Sequence, residues 1–144
     1  MKKTLKNRNN MKKILIAMSG GVDSSVAALL LKEERLDCAG AMMRLFSAGG
    51  GTETGRLEYP DDQDARAVAS SLGVPFYVLD FADAFARRVI GRFVSAYQGG
   101  ATPNPCVDCN RYIKFGRFLD ASREMGYDHI ATGHYARIER RNGR

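Results

Sequence analysis

Apolar and polar positions along the chain follow two different periods. Ile14-Leu15-Ile16-Ala17-Met18 is an unbroken apolar run, the pattern of a strand buried on both faces of a parallel sheet. From Val22 to Lys32 the apolar residues Val22, Val26, Leu29 and Leu30 fall at helical spacing, which predicts a helix with that face inward. Cys38 to Phe46 reads as a second strand, and Ser47 to Pro60, with four glycines and no period, as a long loop. Asp61 or Asp62 caps a helix whose Ala65, Val68, Ala69 and Leu72 share a face, with Gly73 ending it and Pro75 beyond. Phe76 to Phe81 predicts a third strand. A helix from about Ala82 to Tyr97 buries Phe85, Val89, Phe93 and Tyr97 and stops at Gly99-Gly100. Another runs from about Cys109 to Met125, ended by Gly126, and His129 to Thr132 forms a short strand. The order β-α-β-α-β-α-α-β predicts an α/β fold, a doubly wound parallel sheet with helices on both faces and right-handed crossovers.

Between the first strand and the first helix stand Ser19-Gly20-Gly21-Val22-Asp23-Ser24-Ser25. Glycine permits φ > 0 and a close backbone approach to a ligand. A helix leaves its first N–H groups unpaired and carries partial positive charge at that end. Strand, glycine-serine turn and helix start therefore make an anion site, most simply for phosphate. It is not a Walker loop, because no lysine lies between Ser19 and Leu31. Nor does it hold the three glycines of the dinucleotide fingerprint. The plain alternative is an ordinary βα turn with a serine cap.

Composition narrows the setting. At 144 residues, 44% apolar and 26% charged, the chain has the size and balance of one soluble domain with a core. Its formal charge of +6 is unevenly placed: residues 1–13 hold six Lys or Arg and no acid, and residues 137–144 hold four Arg against Glu139. Residues 14–136 hold 12 bases and 15 acids, a net of −3, so nucleic-acid affinity has to come from local patches. Residues 1–11 are expected to be a disordered basic tail, and 12–144 the folded domain. The apolar run after the tail is five residues long and leads into the turn, which is not a signal peptide. No stretch has the length of a membrane span. Three cysteines, an odd count without a secretory signal, point to a reducing cytoplasm.

The second informative stretch is Thr102-Pro103-Asn104-Pro105-Cys106-Val107-Asp108-Cys109. The prolines fix an extended approach to a helix start, where a thiolate is stabilised and a thiol pKa lowered. With Asn104 as cap, Cys106 lies nearer the helix start; with Asp108 as cap, Cys109 is the first helical residue. Structural zinc needs four ligands, and Cys38, Cys106, Cys109, His129 and His134 are spread over different elements. A thioredoxin-like redox pair or an inert buried pair also fits the CxxC spacing. Arg111, Lys114 and Arg117 recur every three residues on the same helix, a stripe able to hold RNA phosphates or simply a solvated face. Cys38 starts its strand, far from the carboxyl edge where α/β sheets bind ligands, and reads as core. His134 faces the site edge, where it reads as a polar structural residue rather than a catalytic one, with both roles open.

These stretches carry a resemblance. SGGVDSS resembles the pyrophosphate loop of the ATP-pyrophosphatase superfamily, whose adenine-nucleotide alpha-hydrolase-like domains cleave ATP between the α and β phosphates. SGGVDSSVAALLL, GAMMRLF, TPNPCVDCNRYIKF and DHIATGHYARI, in this order and spacing, are similar to the bacterial tRNA-specific 2-thiouridylase family, from about Lys12 to Ile138. The resemblance implies adenylation of the C2 oxygen of the wobble uridine of tRNA, then its replacement by sulfur from a persulfide. ATP and Mg²⁺ are the implied cofactors; tRNA and a persulfide sulfur-donor protein are the implied partners, with no membrane involved. Residue by residue, Ala17, Met18, Ser19, Gly20, Gly21, Val22, Asp23 and Ser24 would line the ATP phosphates, with Asp23 near the Mg²⁺. Met43 would meet the adenine region and Gly133 would close the site. Asn104, Pro105 and Cys106 would lie against the target base and Cys109 would attack the persulfide; on charge spacing alone, Arg111, Lys114 and Arg117 are the candidates to hold tRNA backbone.

The chain departs from that pattern in two ways. Cys106 stands where some members carry an Asp, a candidate acid or base. The family's persulfide-carrying cysteine and its central and C-terminal tRNA-gripping domains are expected beyond Arg144, so residues 1–144 alone are expected to form no 2-thiouridine. A disulfide belongs to the implied sulfur chemistry, and an iron–sulfur cluster on the CxxC pair and a later cysteine is a variant of it. Two rival functions stay open: another pyrophosphate-loop ligase adenylating a small molecule, and a non-catalytic ATP-binding module.

Overall fold

The computed structural model describes residues 12–46, 62–137 and 139. The basic tail, the loop expected over Ser47–Pro60 and Asp61 as a cap lie outside the described residues. Four strands, β1 (Lys13–Ala17), β2 (Asp37–Arg44), β3 (Phe76–Asp80) and β4 (His129–Ala131), form one sheet in the order β3-β2-β1-β4. All three pairings are parallel, with Leu15 opposite both Ala39 and Ile130. Four helices accompany the sheet: α1 (Val22–Glu33), α2 (Gln63–Leu72), α3 over residues 82–98 and α4 over residues 105–124. Two stretches, Ala86–Ile90 in α3 and Cys109–Arg117 in α4, are wound as π-helix, with i→i+5 bonds that are uncommon outside functional sites.

Strand alternation divides the core in two. Ile14, Ile16, Met18 and Cys38 point to one face and meet Ala28 of α1 with Ala65 and Ala69 of α2. Leu15, Ala39 and Ala41 point to the other and meet Phe81, Val89 of α3, and Ile113 and Phe118 of α4. Both faces are covered, as the unbroken apolar run of β1 requires, and the doubly wound α/β expectation holds. Leu15, Ile16, Ile113 and Phe118 have no accessible surface, and each such side chain contributes about 1.5–3 kcal/mol by leaving water.

Three expectations are corrected. The inward face of α1 consists of Ser24, Ala28 and half-buried Leu31, whereas Val22, Val26, Leu29 and Leu30 are exposed, Val22 at 78%. The turn is the cause: the Ser24 hydroxyl is bonded back into it, which fixes the rotation of the helix. Along α3, Val89 is buried and Phe85 and Phe93 are half-buried, but Tyr97 is exposed and stacks edge-on against Phe93. Helix α4 begins at Pro105, four residues ahead of Cys109, because Asn104 caps it and the proline ring presets the first helical φ.

Candidate functional site

The turn after β1 is held by its own serines. The Ser24 oxygen accepts from the Ser19 amide (3.3 Å) and its hydroxyl donates to the Gly21 carbonyl (3.0 Å). Ser25 donates to the same carbonyl at 2.9 Å. Gly20 has φ +82°, and a Cβ there would stand 2.8 Å from the Asp64 Cβ, so only glycine fits between the turn and α2. Gly21 is the N-cap of α1, and no side chain caps the helix. The first amides of a 12-residue helix thus keep their capacity for an anion.

The segment after β4 closes the turn from the side. A Cβ on Gly133 would stand 2.9 Å from the Asp23 carbonyl carbon and the Ser24 nitrogen. Beyond it, the Tyr135 hydroxyl donates to Asp23 Oδ1 at 2.8 Å, and this bond to the carboxylate raises the phenol above its ordinary pKa. A cavity of ≈430 Å³ opens between turn, sheet edge and α4. Ala17, Met18, Met42, Met43 and Leu45 form its apolar wall, while Ser19, Asp23, Ser24, Lys114, Thr132 and His134 supply polar groups beside Gly133. Asp23 is its one carboxylate and Lys114 its one ammonium among the described residues. It lies at the carboxyl ends of β1, β2 and β4, where open α/β sheets bind ligands, and combines an apolar wall with a few convergent polar groups.

Of the residues expected around a nucleotide, Ala17, Met18, Ser19, Asp23, Ser24, Met43 and Gly133 meet at this cavity. Gly20 and Gly21 form the backbone of the turn beside it. Val22 instead borders a groove between α1 and α2.

The start of α4 resolves the choice of cap. Asn104 Oδ1 accepts from the Cys106 amide at 3.2 Å, which leaves Cys106 exposed at the helix start and Cys109 one turn further in, half-buried against the second core. The expected lowering of a thiol pKa is therefore not met at Cys109. Burial pushes its thiol up, opposed by the Lys114 charge and reinforced by Cys106. Cys38, Cys106 and Cys109 are free thiols. Among the described residues no group of three His, Cys, Asp or Glu side chains converges as a metal site. Cys38 is core, as expected, and its thiol is pushed up chiefly by burial. His129 is exposed opposite Ile14. His134 bridges: its Nδ1 lies 2.7 Å from Thr132 Oγ1 and its Nε2 3.3 Å from Asn110 Oδ1, tying the loop after β4 to the residue beside Cys109.

The expected stripe of Arg111, Lys114 and Arg117 is split. Lys114 lines the cavity, whereas Arg111 and Arg117 line a separate open groove of ≈810 Å³ between α3 and α4. The π-winding over Cys109–Arg117 widens the turn, so residues three apart no longer share a face. Lys114 as the cavity's cation escaped the sequence reading for that reason. Thr132 and Tyr135 escaped it because nothing local marks them: Tyr135 reaches Asp23 across 112 positions.

A four-stranded parallel α/β sheet with a glycine-serine turn and an uncapped helix start at its carboxyl edge defines the class of the molecule. The chain belongs to the tRNA methyl transferase HUP domain family, whose model matches residues 12–144. It is 53% identical over 133 residues to the tRNA-specific 2-thiouridylase MnmA 1 of Syntrophus aciditrophicus (strain SB), covering 92% of this chain and 36% of that protein. It is 51% identical over 136 residues to MnmA 1 of Clostridium botulinum (strain Loch Maree / Type A3), again covering 92% of this chain and 38% of the relative. The chain thus spans little more than a third of the length of these curated relatives. Among solved structures it is similar to a protein described as a predicted subunit of tRNA methyltransferase from Methanocaldococcus jannaschii. The TM-score is 0.55 at 18% identity, over 93% of this chain and 57% of the other. A glutamine-dependent NAD+ synthetase from Acinetobacter baumannii gives 0.50 at 15% identity, over 85% and 22%. At those identities the likeness is one of fold.

Proposed function

We propose that the turn Ser19–Ser24 binds the phosphates of ATP and that the chain serves as the nucleotide-binding part of a tRNA-uridine 2-sulfurtransferase. In that reaction the C2 oxygen of the wobble uridine is adenylated and then replaced by sulfur delivered as a persulfide. The observation that carries the reading is the cradle itself: an uncapped α1 N-terminus whose flank is closed by a glycine where a Cβ would strike backbone. The relatives at 51–53% identity, named tRNA-specific 2-thiouridylases, support the substrate.

The cradle fits a triphosphate. The Ser19–Ser24 amides point an anion site at the cavity, Lys114 supplies the cation that a Walker loop would carry in its turn, and Met18, Met42 and Met43 offer the adenine an apolar wall. Mg²⁺, when bound, neutralises phosphate charge; one carboxylate, Asp23, is available to hold it, so it is bound through ATP rather than in a protein cage. Asn104, Pro105 and Cys106 meet the target base, and Cys109 attacks the persulfide, forming a disulfide with the donor cysteine and releasing sulfide to the activated base; its neighbour Asn110 is held by His134 at the cavity rim. The partners are tRNA and a persulfide donor protein, in the cytoplasm; no helix among the described residues is long and apolar enough to cross a membrane.

Titration calorimetry of ATP·Mg²⁺ into the chain and its Asp23→Ala and Ser24→Ala variants tests the assignment. Each variant is expected to bind at least tenfold more weakly, the loss of one or two charge-assisted bonds at about 1.5–3 kcal/mol each. Unchanged affinity in both overturns it.

A further inference from the structure

We infer that a guanidinium-lined track along α3 and α4 holds the sugar-phosphate backbone of an RNA strand; this rests on the RNA-modifying reading and extends it from Arg111 and Arg117 to Arg87, Arg88, Arg92 and Tyr112. Arg88 and Arg92 of α3 and Arg111 of α4 converge on one aromatic ring, with guanidinium carbons 5.6, 5.7 and 5.4 Å from the centre of Tyr112. An exposed cation gains only about 0.5–1 kcal/mol from such a ring, and three like charges around it repel one another. Only Arg92 is neutralised, by Asp108 at 3.0 Å. Arg87, Arg88, Arg111 and Arg117 meet no carboxylate within 4.0 Å among the described residues. Asp80, Asp83 and Asp120 also line the groove. Asp80, however, faces Arg44 at 3.8 Å and accepts from the Ala82 amide at 3.0 Å. The cations exceed the anions on this surface, although residues 14–136 as a whole carry a net of −3. With Asp80 facing Arg44 and Asp108 facing Arg92, four arginines remain against Asp83 and Asp120.

The track also has a direction. The ≈810 Å³ groove shares Arg87 with a second open groove of ≈930 Å³, which is lined by Arg92 and also by Asn104 and Val107. A strand lying along it is delivered to the Asn104–Cys106 segment, the proposed place of the target base. Guanidinium forks match phosphate oxygens bidentately. A ring flanked by cations is the composition of single-strand sites, where backbone lies between the charges and a base stacks on the ring. The Asp and Glu side chains of an acidic peptide offer no ring to stack on Tyr112.

The test is fluorescence anisotropy of a labelled RNA stem-loop of about 17 nucleotides, titrated with the chain between 50 and 200 mM salt. The Arg88→Gln/Arg111→Gln double variant is compared with Lys32→Gln/Arg123→Gln, which removes the same charge elsewhere and keeps the basic tail in common. The track variant is expected to lose at least tenfold in affinity, and its slope of log K against log salt to fall by about 1.4, two contacts at about 0.7 each. The comparison variant is expected to change less than threefold. Tyr112→Leu keeps every charge and is expected to lose at least fivefold with an unchanged slope, the share of one stacked base. Equal losses in the two double variants overturn the track as a site, as does a poly-glutamate peptide that competes as well as RNA. ATP calorimetry on the same samples separates the two readings: a failed nucleotide site abolishes ATP binding in the unmodified chain, whereas a failed track leaves ATP binding intact and the salt slopes equal.

Discussion

Replacing Gly133 by alanine perturbs the cradle at its tightest point. The added Cβ stands 2.9 Å from the Asp23 carbonyl carbon and the Ser24 nitrogen, and 3.0 Å from the Asp23 Cβ. Ordinary carbon–carbon contact is about 3.5–4.0 Å, so the two segments have to part by about 0.5–1 Å. The obstacle is backbone in the first turn of α1, which cannot swing aside as the end of a side chain does. Overpacking of this kind costs about 1–3 kcal/mol, and in a chain of this size each kcal/mol lowers Tm by about 2–4 °C. Thermal denaturation is therefore expected to show a loss of about 2–12 °C. The same shift moves Asp23 and the Ser24 amide off the cavity. Loss of one charge-assisted bond, about 1.5–3 kcal/mol, predicts ATP affinity lower by at least tenfold in calorimetry. Gly126→Ala separates the two effects. Gly126 has φ +82° with nothing within 4 Å of a Cβ, so alanine there strains the backbone and lowers Tm without touching ATP affinity. Wild-type ATP affinity in Gly133→Ala refutes the closure argument.

Lys114→Met is expected to weaken ATP at least tenfold, with Lys114→Arg recovering part of the loss; calorimetry in which the Met variant equals the wild type contradicts a phosphate role for Lys114. Burial favours the neutral form of the Cys109 thiol, so it titrates above the ordinary cysteine pKa of about 8.5. Its alkylation rate, followed residue by residue by mass spectrometry, should rise through a pH above that value and move higher still in Lys114→Met, which removes the charge that lowers it. A midpoint below 8.5 contradicts the half-buried placement.

Much of this architecture was legible in the sequence because it depends on local signals. The apolar run at Ile14–Met18 can only be a strand covered on both sides, and the strand-glycine-serine-helix junction marks the turn and the helix start that follow it. The face of α1 was misread because burial followed the turn rather than hydrophobicity: Ser24 is required by the turn, and its hydroxyl bonds set the rotation that leaves Val22 and Leu30 in solvent. Asn104 as cap was one of two readings that spacing allowed, and the bond to the Cys106 amide decides it. Lys114 could not be assigned from a three-residue spacing, since that argument assumes an α-helix where the chain is π-wound. The contacts of Gly133 and Tyr135 with the turn link positions more than 100 residues apart, and no periodicity reports them.

Backbone amide chemical shifts recorded by NMR during titration with ATP·Mg²⁺ test the central claim most directly, because they locate the nucleotide residue by residue. Changes concentrated at Ser19–Ser24 and Gly133, with a weaker set at Met42, Met43 and Lys114, are the predicted result. Changes confined to Arg88, Arg111 and Tyr112, with the turn unmoved, would place the triphosphate on the arginine groove as a mere polyanion and contradict the account.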